Sequence, residues 1–552
     1  VVNASPQPAV APARPVRGRH GAVASPHQLA TQAGLSVLRA GGSAVDAAIA
    51  TNAALAVVAG HSCGLGGDAF WIIWDAGRAE AVTLNGSGRA GRDASIETAR
   101  AAGHAQMPAR GPWSITVPGA VHSWGEAHRR FGRLDWTDLL APGLELASGF
   151  PASPGWLGAI ERSARLFGTR GDWARIYRPD DRARDVGDIV RLPALQGALR
   201  RLVAEGPQAG YTGTVAESTA RHFAARGVPV TAADLAAHTS DWGSPLSMDY
   251  RGVRALSHPP NSVGVVALQA LGVLGRFAAP TASAWDGRGW ADADWIHLGL
   301  EASRLGLVER DAHVTDPAWM AHGEVAAMLA EGHIDDLAGR IDPAQAMPPA
   351  PGTLPGGGGT VYLATTDRWG NAVSLLQSNY QGFGSGLVDP ATGIAFHDRG
   401  AFFSLQPAHP NALAPGKRPA HTLAPGMLLR DGRPWIVHGS MGGEIQPQIF
   451  TQFVSAVVDG QSDVATAVAA PRWAALMRSQ HGPADLTALE SRVHEAVPPA
   501  LRAKGHEVVL QEPWSSTLGH AHAIELLRDE GGEVVSYAAA SDPRAEGSAA
   551  AW

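Results

Sequence analysis

Hydrophobic and polar positions follow two different periods along this chain, and the change of period divides it. Ala22-Val-Ala-Ser-Pro reads as a short strand and turn. Residues 27–40 and 44–60 carry helical spacing and predict two helices split at Gly41-Gly42. The second holds the longest apolar run, but Asp46, Thr51 and Asn52 interrupt it, which predicts a buried helix rather than a membrane span. Gly64-Leu65-Gly66-Gly67-Asp68 opens a strand at 69–74, and helical periodicity dominates 130–340. Turns are expected at 151–155 and 258–260. Past a Pro/Gly-rich linker at 346–359 the texture becomes strand-like. Apolar, β-branched runs at 360–366 and 372–380 flank Asp367-Arg368-Trp369-Gly370-Asn371, a hairpin signal. Further strands are expected at 434–438 and 507–510, and there is no internal repeat. The expected organisation is a disordered tail over 1–20, a helix-rich part over 21–359 and a strand-led part over 360–552.

The most informative point in this pattern is the junction itself. Thr360 is the first residue of a predicted strand and follows four glycines, Gly356 to Gly359. Glycine allows open or distorted backbone at little steric cost. Such a junction suits a chain that cuts its own peptide bond and uses the new terminal threonine as a nucleophile. The local alternative is a glycine linker that ends in threonine.

Composition narrows the choices. At 552 residues the chain is too long for one ordinary core. Its 17% charged and 45% hydrophobic residues are globular values, and a net charge of -7 gives no reason to expect nucleic acid or an anionic membrane surface. One cysteine, Cys63, excludes an intrachain disulfide and a cysteine metal cluster. Residues 1–20 lack the apolar centre of a secretion signal, so a cytoplasmic protein is expected. The chain starts at Val1, and a leader removed ahead of it would instead make the protein periplasmic or secreted.

Conventional hydrolase signals are missing. No serine has glycine at both −2 and +2, there is no His-Glu-x-x-His, and the 22 histidines show no ligand spacing. The glycine cluster at 64–67 precedes a strand and lacks the Gly-Lys-Ser/Thr ending of a phosphate loop. His520-Ala-His522 reads as an ordinary strand or loop pair. No metal and no cofactor are expected. An N-terminal threonine needs neither, because its own amine, with a reference pKa of about 7.7–8.0, is a usable base for its hydroxyl. Glycines in Gly439-Ser440-Met441-Gly442-Gly443, after a strand, would let two backbone N–H groups face an acyl oxygen, although by itself the pair also reads as a turn.

The order of these segments resembles the γ-glutamyltransferase family of N-terminal nucleophile (Ntn) hydrolases, which includes some cephalosporin acylases. The resemblance runs through Ala24-Ser25-Pro26-His27, Leu38-Arg39-Ala40-Gly41-Gly42-Ser43-Ala44-Val45-Asp46, Gly64-Leu65-Gly66-Gly67, Val117-Pro118-Gly119 and Gly370-Asn371-Ala372-Val373-Ser374. It continues at Phe383-Gly384-Ser385-Gly386, Pro415-Gly416-Lys417-Arg418-Pro419, the glycine segment at 439–443, and Asp542-Pro543-Arg544. It implies an α/β (α+β) fold, the Ntn-hydrolase four-layer αββα sandwich. The precursor would be cut at Gly359–Thr360, leaving two fragments that stay associated, and it would act on a small-molecule amide, with hydrolysis outweighing transfer. By resemblance, Thr360 is the nucleophile and Ser378 the hydroxyl that assists it. Gly442 and Gly443 supply the oxyanion amides, and Arg89 binds a substrate α-carboxylate, unless it is a solvated surface arginine.

Other positions depart from the family pattern. Phe402 stands where glutathione-processing members bind the substrate ammonium with an acid. Tyr380 replaces an asparagine contact, and His421-Thr422 replaces a serine pair. Arg399 adds positive charge to the same pocket, or else pairs structurally with Asp398 or Glu444. Losing the acid costs an ammonium about 1.5–3 kcal/mol of charge-assisted bonding. The departures point from a γ-glutamyl head towards an anionic acyl group such as glutaryl, as in a glutaryl-type cephalosporin acylase. A catalytically silent, uncleaved binding homologue is the alternative of another class.

Overall fold

In the computed structural model, residues 14–179, 184–287, 289–348, 359–476 and 486–552 are described. Fourteen strands build the two main sheets: β1 (Val16–Gly18), β2 (Gly21–Ser25), β3 (Asp68–Asp75), β4 (Glu80–Gly86), β5 (Asp241–Gly243), β6 (Leu246–Tyr250), β7 (Val253–Ser257), β8 (Gly359–Asp367), β9 (Ala372–Tyr380), β10 (Gly426–Arg430), β11 (Arg433–Met441), β12 (His520–Arg528), β13 (Val534–Ser541) and β14 (Ser548–Ala551). One sheet runs β14-β2-β8-β9-β3-β4-β5 and the other β1-β13-β12-β11-β10-β7-β6. Both are antiparallel throughout.

The layers follow from strand alternation. Along β8, Val361 and Leu363 enter one core with helices α1 (Gln28–Arg39) and α2 (Ala44–Val58). Tyr362 and Ala364 enter another, shared with Met427, Val437, Ile524 and Ala539 of the facing sheet. On the outer side of that second sheet, Ala255, Leu428 and Ile436 pack with α3 (Gly264–Leu274), α4 (Ala293–His313) and α5 (Gln446–Val458). The order helix, sheet, sheet, helix is the four-layer sandwich. Every residue of β8 and of β9 is buried, as expected for strands covered on both faces.

Local chemistry fixes the central hairpin. Asp367 accepts from Trp369 N at 2.9 Å and Asn371 N at 3.0 Å, which closes the turn. Its other oxygen accepts from Ala44 N at 2.9 Å, the first residue of α2. That helix starts at a capping box between Ser43 and Asp46. Asn52 on α2 bonds Gln377 of β9 at 2.7 Å, so helix and hairpin are locked along their length. All fifteen residues of α2 are buried, in keeping with the sequence reading of 44–60. Among the described residues no helix is long and apolar enough to cross a membrane.

Three expectations need correction. Residues 14–20 are ordered: Val16 pairs with Ala539, and Arg19 N and His20 N both bond Trp552 O at 2.7 Å. The rest of the tail, 1–13, lies outside the described residues, as do 349–358 of the linker. The stretch read as helical around 241–257 instead supplies β5, β6 and β7. These are short strands at or near a sheet edge, whose few alternating positions give little periodic signal. Strands β10, β12, β13 and β14 were likewise not distinguished. Both sheets mix strands from before and after residue 359, so the boundary in sequence texture is not a boundary in space.

The Asp542-Pro543-Arg544 segment sits in a buried charge network. Asp542 is hydrogen-bonded by Ala521 N at 2.7 Å and pairs with Arg472 and, at 3.0 Å, with Arg544; Arg544 also pairs with Glu490. Replacing Asp542 by Ala leaves two buried arginines short of a partner. Thermal unfolding is expected to show a loss of about 3–5 kcal/mol.

Candidate active site

Thr360 opens the regular part of β8, and the pairing with β9 is irregular at this point. Gly359 faces Tyr380 and Thr360 faces Ser378, so Asn379 is an extra residue of β9 and the register shifts opposite the Gly359–Thr360 bond. A Cβ at residue 359 would lie 2.5–2.6 Å from the Gln381 carbonyl, so only glycine fits there. Thr360 is 3% exposed.

The Ser378 hydroxyl ties the junction together. Its oxygen lies 2.8 Å from Thr360 Oγ1, 2.8 Å from the Gly359 carbonyl oxygen and 2.8 Å from Tyr380 N. A hydroxyl has one proton to donate. With that proton on the Gly359 carbonyl, Ser378 Oγ accepts from Tyr380 N–H and from the Thr360 hydroxyl. The carbonyl is then polarised and the threonine oxygen is oriented by the same group. Tyr380 holds a left-handed backbone, φ +72°, which is costly for a residue with a side chain. Its amide bond to Ser378 and the guanidinium against its ring help hold it there.

The two sheets bring the glycine turn to the same end. Tyr362, two residues beyond Thr360 and on the same face of β8, lies directly over Gly439 of β11. At the other end of β8, Tyr537 bonds the Asp367 carbonyl; Tyr537 is in register with Leu526, next to the Glu525–Ile436 pair of β12 and β11. The strands therefore run in opposite directions across the interface, and Thr360 lies at the end where β11 turns into Gly442-Gly443. Both glycines have left-handed φ values, +152° and +57°. A 3₁₀ turn and then α5 follow at once, so these amides lie at the positive end of a helix.

Beside the hairpin lies a buried charged and aromatic cluster. The Arg399 guanidinium stacks 3.9 Å from the Tyr380 ring centroid and 5.5 Å from that of Phe402. Its Nη2 donates to Thr422 Oγ1 at 3.1 Å. Of the two alternatives for Arg399, the ion pair with Asp398 or Glu444 is not formed; Glu444 is taken by Arg310 of α4. His421 does not reach outward as a substrate contact. Its Nε2 donates to Asp68 Oδ2 at 3.1 Å, while Asp68 Oδ1 accepts from Gly88 N and Gly119 N, both at 3.1 Å. Burial works against the Asp68 charge, but His397, His421 and the Gly119 amide more than offset it and hold its pKa at about 2. Burial and the nearby Arg399 push His421 down to about 3, so its ring is neutral at pH 7. Arg89 bonds Thr239 O at 3.3 Å and pairs at 3.3 Å with Asp241, a carboxylate that Arg418 also holds, and 32% of its side chain stays exposed.

Asp68 and Arg310 were not singled out from sequence, and Asp398 entered only as an alternative ion-pair partner of Arg399. A lone acid after a glycine cluster was the only local sign of Asp68. Elsewhere His297, Glu301 and His506 bring ligand atoms within 4.8 Å of one another. They are already engaged: His297 with His506 at 2.8 Å and with Asp342 O at 2.9 Å, Glu301 with Arg304 at 3.1 Å and Met347 N at 2.9 Å.

A four-layer sandwich with a threonine at the start of a central strand, a hydroxyl on it and glycine amides at the same end defines an N-terminal nucleophile amidohydrolase, and the chain is an enzyme of that class. The gamma-glutamyltranspeptidase family profile matches residues 30–552, and the chain belongs to that family. It is 37% identical to an oxamate amidohydrolase proenzyme of Klebsiella pneumoniae over 97% of this chain and 98% of that one. It is 34% identical to a glutathione hydrolase-like proenzyme of Bacillus subtilis over 97% and 99%. A crystal structure of a cephalosporin acylase from Bacillus halodurans superposes with a TM-score of 0.89 at 36% identity, covering 99% of each chain.

The cluster makes a pH prediction. Burial, against the Gln381 amide and the pull of Arg110 and Arg399, raises Asp398 to about 7. Between about pH 4, where the unfolded carboxyl titrates, and pH 7 the folded chain holds a proton that the unfolded chain has lost. Stability therefore falls as pH rises through this window and levels off above it, by up to about 4 kcal/mol for a three-unit shift. Asp398→Asn should flatten that slope in unfolding curves taken from pH 4.5 to 8.

Proposed function

We propose that the chain cuts itself between Gly359 and Thr360, and that the freed Thr360 hydrolyses, and to a lesser extent transfers, an acyl group from a small amide. The observation that carries this reading is the Ser378 hydroxyl, shared between the Gly359 carbonyl and the Thr360 hydroxyl at 2.8 Å each. In the first reaction Thr360 Oγ1 attacks the Gly359 carbonyl carbon. The C–N bond breaks, the nitrogen takes a proton, and Gly359 is left as an ester on Thr360. Water then hydrolyses the ester, giving a Gly359 carboxylate and a Thr360 with free amine and hydroxyl.

In the second reaction the amine, with a reference pKa of about 7.7–8.0, accepts the hydroxyl proton as Oγ1 attacks the substrate acyl carbon. Gly442 and Gly443 amides stabilise the oxyanion, each such donor being worth roughly 10²–10³ in rate. The proton passes to the leaving amine, and water, or an acceptor amine, releases the acyl group from the ester. The fragments stay together because β2 and β3 of the first hydrogen-bond to β8 and β9 of the second. The names of the relatives, an oxamate amidohydrolase, a glutathione hydrolase-like protein and an acylase, support an amide substrate and span several acyl groups.

Denaturing gels and N-terminal sequencing of the purified protein test this. Two fragments are expected, the smaller beginning at Thr360, eluting together on native size-exclusion. Thr360→Ala should stay one chain. A wild-type protein that remains uncut under the same conditions would sink the proposal. Gly359→Ala, which forces the new methyl against the Gln381 carbonyl, should slow the appearance of fragments at least tenfold in a time course. Ser378→Ala should slow it about a hundredfold.

A further inference from the structure

The glycine cluster at 64–67 leads into β3 and packs against the irregular residue of β9. That residue, Asn379, is fully buried. Its N–H donates to Ser62 O at 3.1 Å, and its carbonyl accepts from Asp398 N at 3.2 Å. Its side-chain amide donates to Gly60 O at 3.4 Å. The glycines leave no spare room around it. A Cβ at Gly67 would lie 2.7 Å from the Ser378 carbonyl oxygen and 2.9 Å from Asn379 Oδ1, and one at Gly64 would lie 3.5 Å from Asn379 Nδ2. Gln377 Nε2 donates to Gly64 O at 2.8 Å, while its Oε1 accepts from Asn52 of α2. Residues 60–67 thus form a cradle, running from the end of α2 to the start of β3, that grips β9 at 377–379.

What the cradle holds matters because of directions within a sheet. On a regular strand a side chain stands roughly perpendicular to the sheet, while a carbonyl lies near its plane and points along the ladder. Ser378 Oγ meets the Gly359 carbonyl oxygen at 2.8 Å, where the ladder is interrupted. The Thr360–Ser378 pair, by contrast, belongs to the regular register that continues through Val361–Gln377. The contact between the two hydroxyls therefore does not need the extra residue, and the contact between hydroxyl and carbonyl does. Tyr380 N, bonded to Ser378 Oγ at 2.8 Å, closes the turn around Asn379.

We propose that Asn379 and the 60–67 cradle are a positioning device for self-cleavage, holding the break in pairing through which Ser378 reaches the Gly359 carbonyl. This rests on the reading of Thr360 as a self-released nucleophile and adds how the precursor aims its first step. As Thr360 Oγ1 bonds the Gly359 carbon, it gives up its proton and the carbonyl oxygen gathers negative charge under the Ser378 hydroxyl. The C–N bond then breaks, the carbonyl re-forms as an ester and the proton ends on the Thr360 nitrogen. Asn379 and Gly67 act on this step through Ser378.

The test follows cutting of pulse-labelled precursor on denaturing gels. Deletion of Asn379 takes the Ser378 donor away from the carbonyl and should slow cutting by about a hundredfold. Gly67→Ala, which pushes a methyl against the Ser378 carbonyl, should slow it by about tenfold and serves where the deletion does not fold. In a Ser378→Ala background either change should cost about threefold or less, because the contact that it serves is already gone. A cradle that only stabilises the fold would give losses that multiply. All rates are compared below the onset of thermal unfolding of each variant. Hydroxylamine, which opens esters, should leave the slowed variants uncut, since their block precedes the ester. Multiplying losses, wild-type rates in either variant, or cutting restored by hydroxylamine overturns the proposal. A wild type that cuts, with Ser378→Ala slowed and the cradle variants not, overturns this proposal alone. A wild type that stays uncut overturns the Thr360 reading and this one with it.

Discussion

The structure depends on a strand that is held on both edges and both faces and begins at a hydroxyl-bridged peptide. β8 is hydrogen-bonded on both edges, covered by α2 on one face and by the opposite sheet on the other. Its first residues depart from regular pairing, and that is where the Ser378 hydroxyl meets both Gly359 and Thr360. Rigidity in the body of the strand is what allows distortion to be confined to its end. A flexible strand would lose the alignment of hydroxyl and carbonyl.

That rigidity is assembled from distant parts. Asp367 closes the hairpin and also bonds the first turn of α2, while Asn52 of that helix reaches back to Gln377. The facing sheet sets where the glycine turn falls, through Tyr362 over Gly439 and Tyr537 on the Asp367 carbonyl. The Gly442 and Gly443 amides at the end of β11 are therefore placed by contacts at its middle and at the other end of β8. Catalytic geometry here is a consequence of sheet packing, not of a local motif.

The electrostatics of the site divide into satisfied and unsatisfied groups. Asp68 is a buried charge with three donors, and Arg310 is matched by Glu444. Arg399 Nε and Nη1 and Asp398 Oδ2, by contrast, have no hydrogen-bond partner among the described residues. The residues that replace the polar head-group contacts of glutathione-processing relatives, Tyr380 and Phe402, are the ones that support this cation.

Much of this was legible in the chain. Thr360 after its glycines, the 360–380 hairpin and the two helices at 27–60 are encoded by neighbours, because period and turn chemistry are local properties. The ordered order of motifs also carried the family and, with it, the sandwich. What the sequence left open was which groups meet. Arg399 had two candidate acids close in sequence or motif and pairs with neither; Arg89 is tied to Asp241, 152 residues away, and His421 to Asp68, 353 residues away. The short strands at 241–257 gave way for the same reason, since edge pairing rather than periodicity makes them strands. Local pattern determined the reacting bond and the elements around it. Tertiary packing alone decided which charges are cancelled and which are not, because burial and partner choice are set by residues far apart in the chain.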